Sequence, residues 1–163
     1  MRIRRYRRSD LDSVRSLHQV CLAQVGLFPG DGVYYDDDLA RIEEIYLIDG
    51  GEFLVGEAPE GRVMAMGALR RVDDASGEMC RLRVHPEFQR RGFGDRMVTE
   101  LESRAAGLGY VRLRGDTTLN QPAAIHLYRK HGWREIRREG RGEHTVVYME
   151  KDPLISSMAA STE

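Results

Sequence analysis

Apolar residues recur every three or four positions in two long segments, which is the spacing of the buried face of an amphipathic helix. The first segment follows the polar start Ser9-Asp10 and has its apolar residues at Leu11, Val14, Leu17, Cys21, Leu22 and Val25. The second ends at Gly107 or Gly109 and has them at Met97, Val98, Leu101, Ala105 and Leu108. Shorter helices are predicted from Asp36–Asp38 to about Tyr46, and from Pro122 to a stop at Gly132.

Strand-like segments separate these helices. A charged edge strand is expected at the N-terminus, a hairpin at 53–55 and 63–69, and further strands at 78–84, 110–113, 133–138 and 145–150. The order β-α-α-β-β-β-α-β-α-β-β predicts an α/β fold in a single domain over residues 1–152. The tail from Pro153 to Glu163 is rich in Ser and Ala, and we expect it to be disordered.

The composition agrees with one domain, because 163 residues of which 41% are hydrophobic suffice for a single core. Twenty-five basic against 26 acidic residues leave a formal net charge of -1. We therefore expect neither a nucleic-acid nor a membrane partner. The arginines between Arg2 and Arg8 could form a nucleic-acid arm, but Ile3 and Tyr6 interrupt them, which favours the edge strand.

The number of cysteines, the spacing of histidines and the length of apolar runs indicate which kinds of site and which cellular compartment to expect. Cys21 and Cys80 are too few for a disulfide framework, and the five histidines have no metal-binding spacing, so we expect no metal. No apolar run is long enough to span a membrane, and the basic N-terminus is not followed by the apolar stretch of a signal peptide. These features predict a cytoplasmic protein.

The segment Gln89-Arg-Arg-Gly92-Phe-Gly94 places a glycine turn between a strand and a helix. Glycines leave room for a ligand near the backbone, and the first turn of a helix directs unpaired N–H groups and the positive end of its dipole outward. This arrangement predicts an anion site. The spacing differs from that of the dinucleotide-binding glycine turn, and no Lys-Ser/Thr follows as in a nucleoside-triphosphate loop.

Three ordered features together resemble the GNAT superfamily of N-acetyltransferases over nearly the whole chain: the element order, the glycine turn, and Asn120-x-x-Ala123-x-x-x-Leu-Tyr128-x-x-x-Gly132-Trp133. Trp133 stands where the family usually has Phe. The resemblance implies a mixed, mostly antiparallel sheet flanked by about four helices. It also implies an enzyme that uses acetyl-CoA as cosubstrate and an amine as acceptor.

The resemblance implies a cofactor site made mainly of backbone. The pantetheine arm would lie along the strand at Leu82–Val84 like an added strand, and the Val84 amide would polarise the thioester carbonyl. The glycine turn would hold the pyrophosphate, and Asn120 would contact pantetheine or substrate, although it could also simply cap a helix. The cofactor residues implied in this way are Leu82, Arg83, Val84, Gln89, Arg90, Arg91, Gly92, Phe93, Gly94, Asp95, Asn120, Ala123 and Tyr128.

Two residues are candidates for proton transfer. The resemblance assigns Tyr128 as the general acid that protonates the departing sulfur. Glu78 opens the cofactor strand and is the candidate base, with the alternative that it is only an exposed residue at the start of a strand. Cys80 has no evident activating neighbour, so direct attack in a ternary complex is preferred to an acyl-cysteine route.

The acceptor is defined less sharply. Tyr34 to Asp38 could attract a cation, or could simply be a solvated helix start. A small cationic amine, an amino acid or an antibiotic is predicted, with two alternatives: an N-terminal or lysine acetyltransferase of proteins or peptides, and a non-catalytic acyl-CoA sensor. The resemblance also leaves open a homodimer that pairs through the C-terminal strands.

Overall fold

The fold is built on one open seven-stranded sheet, which the computed structural model describes over residues 1–28 and 37–155. The strands lie in the order β1-β2-β3-β4-β5-β7-β6. All neighbours are antiparallel except β4 and β5, which run parallel. Their ranges are β1 Arg2–Arg5, β2 Glu52–Glu57, β3 Val63–Arg71, β4 Ser76–Val84, β5 Arg112–Thr118, β6 Arg134–Arg141 and β7 His144–Lys151. The predicted α/β fold with a mostly antiparallel sheet is confirmed.

Three α-helices cover the two faces of this sheet: α1 (Leu11–Gln24), α2 (Phe93–Gly107) and α3 (Pro122–Lys130). One core packs α1 and residues 37–47 against one face, around Val14, Tyr46 and Phe53. The other core packs α2 and α3 against the opposite face, around Leu101 and Tyr128. The helical spacing in the sequence therefore identified the buried faces of these helices.

The second predicted helix is replaced by short helical turns, a 3₁₀ turn at Asp37–Ala40 and a π-helical turn at Glu43–Leu47. Residues Leu39, Ile42 and Tyr46 of this segment are buried, which explains the helix-like spacing. The carboxylate of Asp38 does not cap a helix, because it binds Arg81 and accepts a hydrogen bond from Tyr46. Asp36 lies outside the described residues.

Parallel pairing between β4 and β5 stops after three residue pairs, from Ser76–Arg112 to Glu78–Arg114. Beyond Glu78, β4 remains paired with β3, but the register there shifts opposite Gly67. Arg81 lies in this bulge with a φ of 57°, in the left-handed region. The bulge bends β4, and a gap opens between it and β5.

The paired end of the gap carries a row of alternating charges across five strands, formed by Arg70, Glu78, Arg114, Glu150 and Arg134, each opposite the next. Arg70 lies 3.0 Å from Glu78, and Arg114 and Arg134 lie 3.5 and 3.7 Å from Glu150. Opposite charges on directly opposed residues stabilise a sheet. We call this set the charged row.

Leu154 belongs to the packed domain although it falls in the segment expected to be a disordered tail. It is 7% exposed, and its N–H donates to the carbonyl of Val111. The domain therefore extends beyond Asp152, and residues 156–163 of the expected tail lie outside the described residues. In the parts of the chain that the structure describes, the helices are too short or too polar to cross a membrane.

Gly51 provides a test of the packing at the start of β2. A Cβ there would overlap the carbonyl oxygens of Leu69 and Tyr46, which are backbone atoms and cannot rotate away. We expect Gly51→Ala to lower the free energy of unfolding by about 1 to 3 kcal/mol in urea denaturation. The control is Gly107→Ala at the end of α2, where a Cβ meets no atom within 4 Å. It should be neutral or stabilising by up to about 1 kcal/mol, and equal losses in both variants would contradict the packing argument.

Candidate active site

Two clefts lie at the gap between β4 and β5. The first, of about 700 Å³, opens on the sheet face that carries residues 37–47 and is lined by Glu78, Asp116 and Tyr128. The second, of about 600 Å³, lies between the end of α1, the start of α2 and α3. Leu82, Arg83 and Ala124 line both clefts, so the two meet at the gap. We call the first the acceptor cleft and the second the cofactor cleft, after the ligands that the family resemblance implies for them.

The glycine turn forms one wall of the cofactor cleft and begins α2 as the sequence predicted. Gly92 has a φ of 81°, and a Cβ there would meet no atom within 4 Å, so the space beside it is open. The first α-helical bond of α2 runs from the Arg96 N–H to the Gly92 carbonyl. The N–H groups of Phe93 to Asp95 therefore have no partner within the helix, and the turn fits a pyrophosphate.

Asp95 lies in the first turn of α2, and its carboxylate is paired within the protein. Its carboxylate lies 2.9 Å from Lys130 and 3.0 Å from His131, both at the end of α3. The hydrogen bond from Lys130 in particular lowers the pKa of Asp95. The carboxylate thus ties α2 to α3, and its charge opposes a bound phosphate less than a free carboxylate would.

Gln89 fastens the turn to the rest of the protein. Its amide nitrogen donates to the Val84 carbonyl at 2.9 Å, and its side chain exchanges two hydrogen bonds with Gln24 of α1. The thiol of Cys21 donates to the same carbonyl at 3.3 Å. Gln89 therefore positions the turn. The neighbouring Arg90 and Arg91 are exposed, and Arg90 has a φ of 62°.

The backbone of Leu82–Val84 borders both the gap and the cofactor cleft. Beyond Glu78, β4 has no pairing with β5, so its edge there could accept an extended ligand. The guanidinium of Arg83 donates to the Leu82 carbonyl at 2.8 Å. On the far side of the cleft, Ala123 lies in α3, and the Asn120 side chain donates to the Val25 carbonyl at 3.2 Å. All predicted cofactor residues except Tyr128 line the cofactor cleft or, like Arg91, lie in its turn.

Glu78 and Tyr128 lie in the same cleft although they belong to opposite faces of the sheet. Tyr128 is in α3, is 3% exposed and packs against Trp133 with ring centroids 4.7 Å apart. Glu78 lies in β4 on the face of residues 37–47. The gap in the sheet allows both to line the acceptor cleft. The structure thereby brings together the two residues that the sequence suggested for proton transfer.

Burial gives Glu78 a property that a catalytic base needs. Removal from water is the main cause that raises its pKa, and the charge of Asp116 acts in the same direction. The Arg70 guanidinium opposes this rise. A carboxylate with a raised pKa accepts protons at a pH closer to neutral.

Asp116 is a second carboxylate of the acceptor cleft, and sequence analysis missed it. It follows the charged row by two residues on β5 and thus points to the same face as Arg114. Burial raises its pKa. Strand alternation around Asp116 could have indicated an inward side chain, but the sequence did not show which face borders the gap.

A buried ion pair attaches residues 37–47 to the bulge of β4. The guanidinium of Arg81 binds the two carboxylate oxygens of Asp38 at 2.6 and 3.0 Å, and both side chains are 10% exposed. Tyr46 donates to Asp38, and the Cys80 thiol lies 3.7 Å from the Tyr46 oxygen. Asp38 was one candidate for attracting a cationic acceptor, with a solvated helix start as the alternative, but its charge is compensated within the protein. Tyr34, Tyr35 and Asp36 lie outside the described residues.

The two cysteines are free thiols, of which Cys21 is buried and Cys80 half-buried. Burial raises the pKa of Cys80 to about 12 and that of Cys21 to about 11. Neither thiol forms a nucleophilic thiolate readily at neutral pH. Among the residues that the structure describes, no group of three or more His, Cys, Asp or Glu side chains has the arrangement of a metal site.

The Asp38–Arg81 pair predicts a specific pH dependence of stability. Burial would raise the pKa of Asp38, but the Arg81 hydrogen bond and charge lower it overall. A lowered pKa in the folded state stabilises the fold above the unfolded pKa of about 3.9, and this contribution is lost as the pH falls through the folded value. We expect Asp38→Asn to destabilise the fold by about 3 kcal/mol at pH 7 in urea denaturation.

Below about pH 4 the difference in the free energy of unfolding between Asp38→Asn and the wild type should shrink. The wild type loses the ion-pair contribution as Asp38 is protonated, whereas Asn does not titrate. The control is Asp74→Asn, which removes a carboxylate that is 96% exposed and paired with Arg71. It should change stability by less than about 0.5 kcal/mol. If Asp38→Asn lowers the free energy of unfolding by the same amount from pH 7 to pH 3, the ion-pair argument is refuted.

Comparison with known proteins agrees with these features. The profile of the Acetyltransferase (GNAT) family matches residues 12–133. An amino-acid acetyltransferase from Pseudomonas aeruginosa is 36% identical over 75 residues, which are 45% of this chain and 16% of that protein. The chain thus spans about a sixth of the length of the curated relatives it matches.

Two solved structures have the same fold at low sequence identity. A putative acetyltransferase from Salmonella typhimurium, with its cofactor acetyl-CoA, superposes with a TM-score of 0.78 at 20% identity, over 96% of this chain and 95% of that one. A spermidine N-acetyltransferase from Vibrio cholerae, in complex with CoA and spermine, has a TM-score of 0.71 at 18% identity, over 93% and 97%. The family profile covers most of the chain, and the protein belongs to the GNAT family of acetyltransferases.

Proposed function

We propose that this protein transfers the acetyl group of acetyl-CoA to a primary amine by direct attack in a ternary complex, with Glu78 as the base and Tyr128 as the acid. The observation that carries the proposal is that Glu78 and Tyr128 line one cleft, which joins the cofactor cleft at the gap between β4 and β5. Acetyl-CoA, when bound, supplies the acetyl thioester. Binding of the cosubstrate and proton transfer would depend on residues of this chain.

Binding of the cosubstrate would use the turn and the free strand edge. The N–H groups of Phe93 to Asp95 would hold the pyrophosphate, and the backbone of Leu82–Val84 would hold the pantetheine arm. The reacting carbonyl would then lie at the gap, within reach of groups from both clefts. Donors that are already in place stabilise developing negative charge without reorganisation.

Proton transfer would follow from the positions of the two side chains. The acceptor amine must lose a proton, and Glu78 accepts it directly or through a water molecule. The nitrogen forms the new bond to the acetyl carbon, and the bond from that carbon to sulfur breaks. Tyr128 donates the proton that the departing sulfur needs. The raised pKa of Cys80 supports this route over an acyl-cysteine intermediate.

The proposed acceptor is a small cationic amine, an amino acid or an antibiotic. The P. aeruginosa relative is named for amino acids, and the V. cholerae structure contains spermine. Acetylation of a protein N-terminus or lysine, and acyl-CoA sensing without catalysis, are the alternative functions. The position of Tyr128 and Glu78 in one cleft favours catalysis over sensing. We also propose a cytoplasmic location, which the two free thiols support. A homodimer that pairs through the C-terminal strands is a further proposal.

The experiment that tests the function measures release of CoA thiol from acetyl-CoA with amino acids, polyamines, aminoglycosides, arylamines and short peptides. We expect turnover with at least one class of small amine. Turnover with peptides alone would favour the protein acetyltransferase. Binding of acetyl-CoA without any turnover would favour the sensor.

Tyr128→Phe should lower kcat about 10²- to 10⁴-fold, the range for loss of a general acid, and should leave acetyl-CoA affinity nearly unchanged. The ring is retained, so its packing against Trp133 and the fold should persist. The control Tyr110→Phe removes a hydroxyl that donates to the Gly50 carbonyl away from both clefts. It should affect stability more than kcat, and equal loss of kcat in both variants would argue against an acid role for Tyr128.

Glu78→Gln should flatten the rise of kcat/KM with increasing pH. The wild-type rate rises as the base loses its proton, and the raised pKa of Glu78 places this rise above the pH of an ordinary glutamate. Steady-state rates between pH 5 and pH 9 measure the effect. Glu43→Gln, at a half-buried residue outside both clefts, is the control. An unchanged pH profile in Glu78→Gln would exclude Glu78 as the base.

A further inference from the structure

The acceptor cleft contains a second row of opposed residues, one step beyond the charged row. Asp116 of β5 is opposite Tyr148 of β7, and Tyr148 is opposite Arg137 of β6. Directly opposed residues point to the same face, and neighbouring strands lie about 4.8 Å apart. All three residues line the acceptor cleft. A carboxylate and a guanidinium are therefore held on either side of one tyrosine ring.

The guanidinium groups of Arg137 in this row and of Arg141 lie close to the tyrosine. The guanidinium carbon of Arg137 is 3.7 Å from the centre of the Tyr148 ring, so this side chain leans from β6 toward Asp116. Arg141 donates to the Tyr148 hydroxyl at 3.1 Å and also lines the cleft. Among the residues facing Asp116, Arg141 makes the largest electrostatic contribution that opposes the raised pKa of this carboxylate.

The charges at the two ends of this row are incompletely compensated. Within residues 1–28 and 37–155, the Asp116 carboxylate has no ion pair and no hydrogen bond to another side chain. Arg137 and Arg141 share the single carboxylate of Glu139, at 3.1 and 3.6 Å, and its side chain is 43% exposed. Glu139 also accepts a hydrogen bond from the Tyr148 hydroxyl at 3.1 Å. Exposed ion pairs contribute little energy, so a ligand carboxylate that also accepts from Tyr148 can replace Glu139 at small cost.

Three other ion pairs of the cleft are closed within the protein, namely Arg70–Glu78, Arg81–Asp38 and Arg114–Glu150. Asp37 also lines the cleft with an exposed carboxylate. The second row is the feature that places a carboxylate and a guanidinium on either side of one side chain. A ligand that complements it carries a positive group toward Asp116 and a negative group toward Arg137 and Arg141.

On the basis of the proposed acetyl transfer, we propose that the acceptor is an α-amino acid, whose ammonium group binds Asp116 beside Glu78 and whose carboxylate binds Arg137 and Arg141. The planar guanidinium donates two hydrogen bonds to a carboxylate in fixed geometry, which gives specificity as well as affinity. A polyamine would place a second cation against the two arginines and would be disfavoured. An amino-acid amide has no carboxylate that could replace Glu139 as the partner of the two arginines.

Matched acceptors test this assignment in the CoA-thiol assay. Each α-amino acid is compared with its own α-amide and with polyamines in the wild type and in Arg137→Gln, Arg141→Gln and Asp116→Asn. We expect the amino acids to be preferred, and each arginine variant to lower kcat/KM for them about 10- to 100-fold, the range for a hydrogen bond to a charged group. Rates with the amides should change less than about threefold in the arginine variants.

Arg138→Gln is the matched control, because Arg138 lies on β6 beside Arg137, is 51% exposed and pairs with Glu135 outside the acceptor cleft. It should leave the acceptor preference unchanged. Affinity for acetyl-CoA, measured by calorimetry, should remain at the wild-type value in all variants and shows that each is folded. Asp116→Asn should lower kcat/KM for both amino acids and amides, since both carry the ammonium group.

Two outcomes would overturn the inference while the proposed function stands. One is turnover of amides or polyamines at least as fast as of amino acids, and the other is an effect of Arg137→Gln and Arg141→Gln no larger than that of Arg138→Gln. Binding of acetyl-CoA without CoA release for any acceptor would instead refute the proposed acetyl transfer, and the inference with it.

Discussion

The functional geometry depends on the early end of pairing between β4 and β5. A parallel pair that continued along the whole of β4 would separate α3 from the face that carries Glu78. Pairing stops at Glu78 and Arg114, and the bulge opposite Gly67 directs the rest of β4 away from β5. The free strand edge, the meeting of the two clefts and the shared position of Glu78 and Tyr128 all follow from this gap.

Charge interactions on both sides of the gap compensate for the disturbed sheet. The charged row holds the strands together where pairing ends, with Glu78 and Glu150 between three arginines. At the bulge, Arg81 adopts a left-handed backbone conformation that costs roughly 1 to 2 kcal/mol. Its buried ion pair with Asp38 fixes the conformation and also anchors residues 37–47. One side chain thus shapes the cofactor strand and one wall of the acceptor cleft together.

Sequence patterns predicted the local glycine turn and helix starts better than the features that several strands bring together, for a physical reason. The glycine turn and the start of α2 are local in sequence, and glycine positions and helix starts leave direct signals around Gly92. Apolar periodicity predicted α1 and α2, the Pro122 start and Gly132 stop predicted α3, and the order of the elements predicted the α/β class. Asp116, Tyr148 and Arg137 come from three strands, and their alignment depends on register, which the sequence alone did not supply.

The segment 37–47 shows how a local signal can be overridden by a distant contact. Its apolar spacing and its acidic start both indicated a helix, and the buried residues Leu39, Ile42 and Tyr46 confirm the spacing. Asp38, however, forms its hydrogen bonds with Arg81, 43 residues away, and therefore cannot cap a helix of its own segment. A helix cap stabilises the fold by about 1 kcal/mol. Breaking a buried ion pair by removing one partner destabilises the fold by about 3 to 5 kcal/mol. The larger interaction determines the structure, and it also removes Asp38 from the groups that an acceptor could bind.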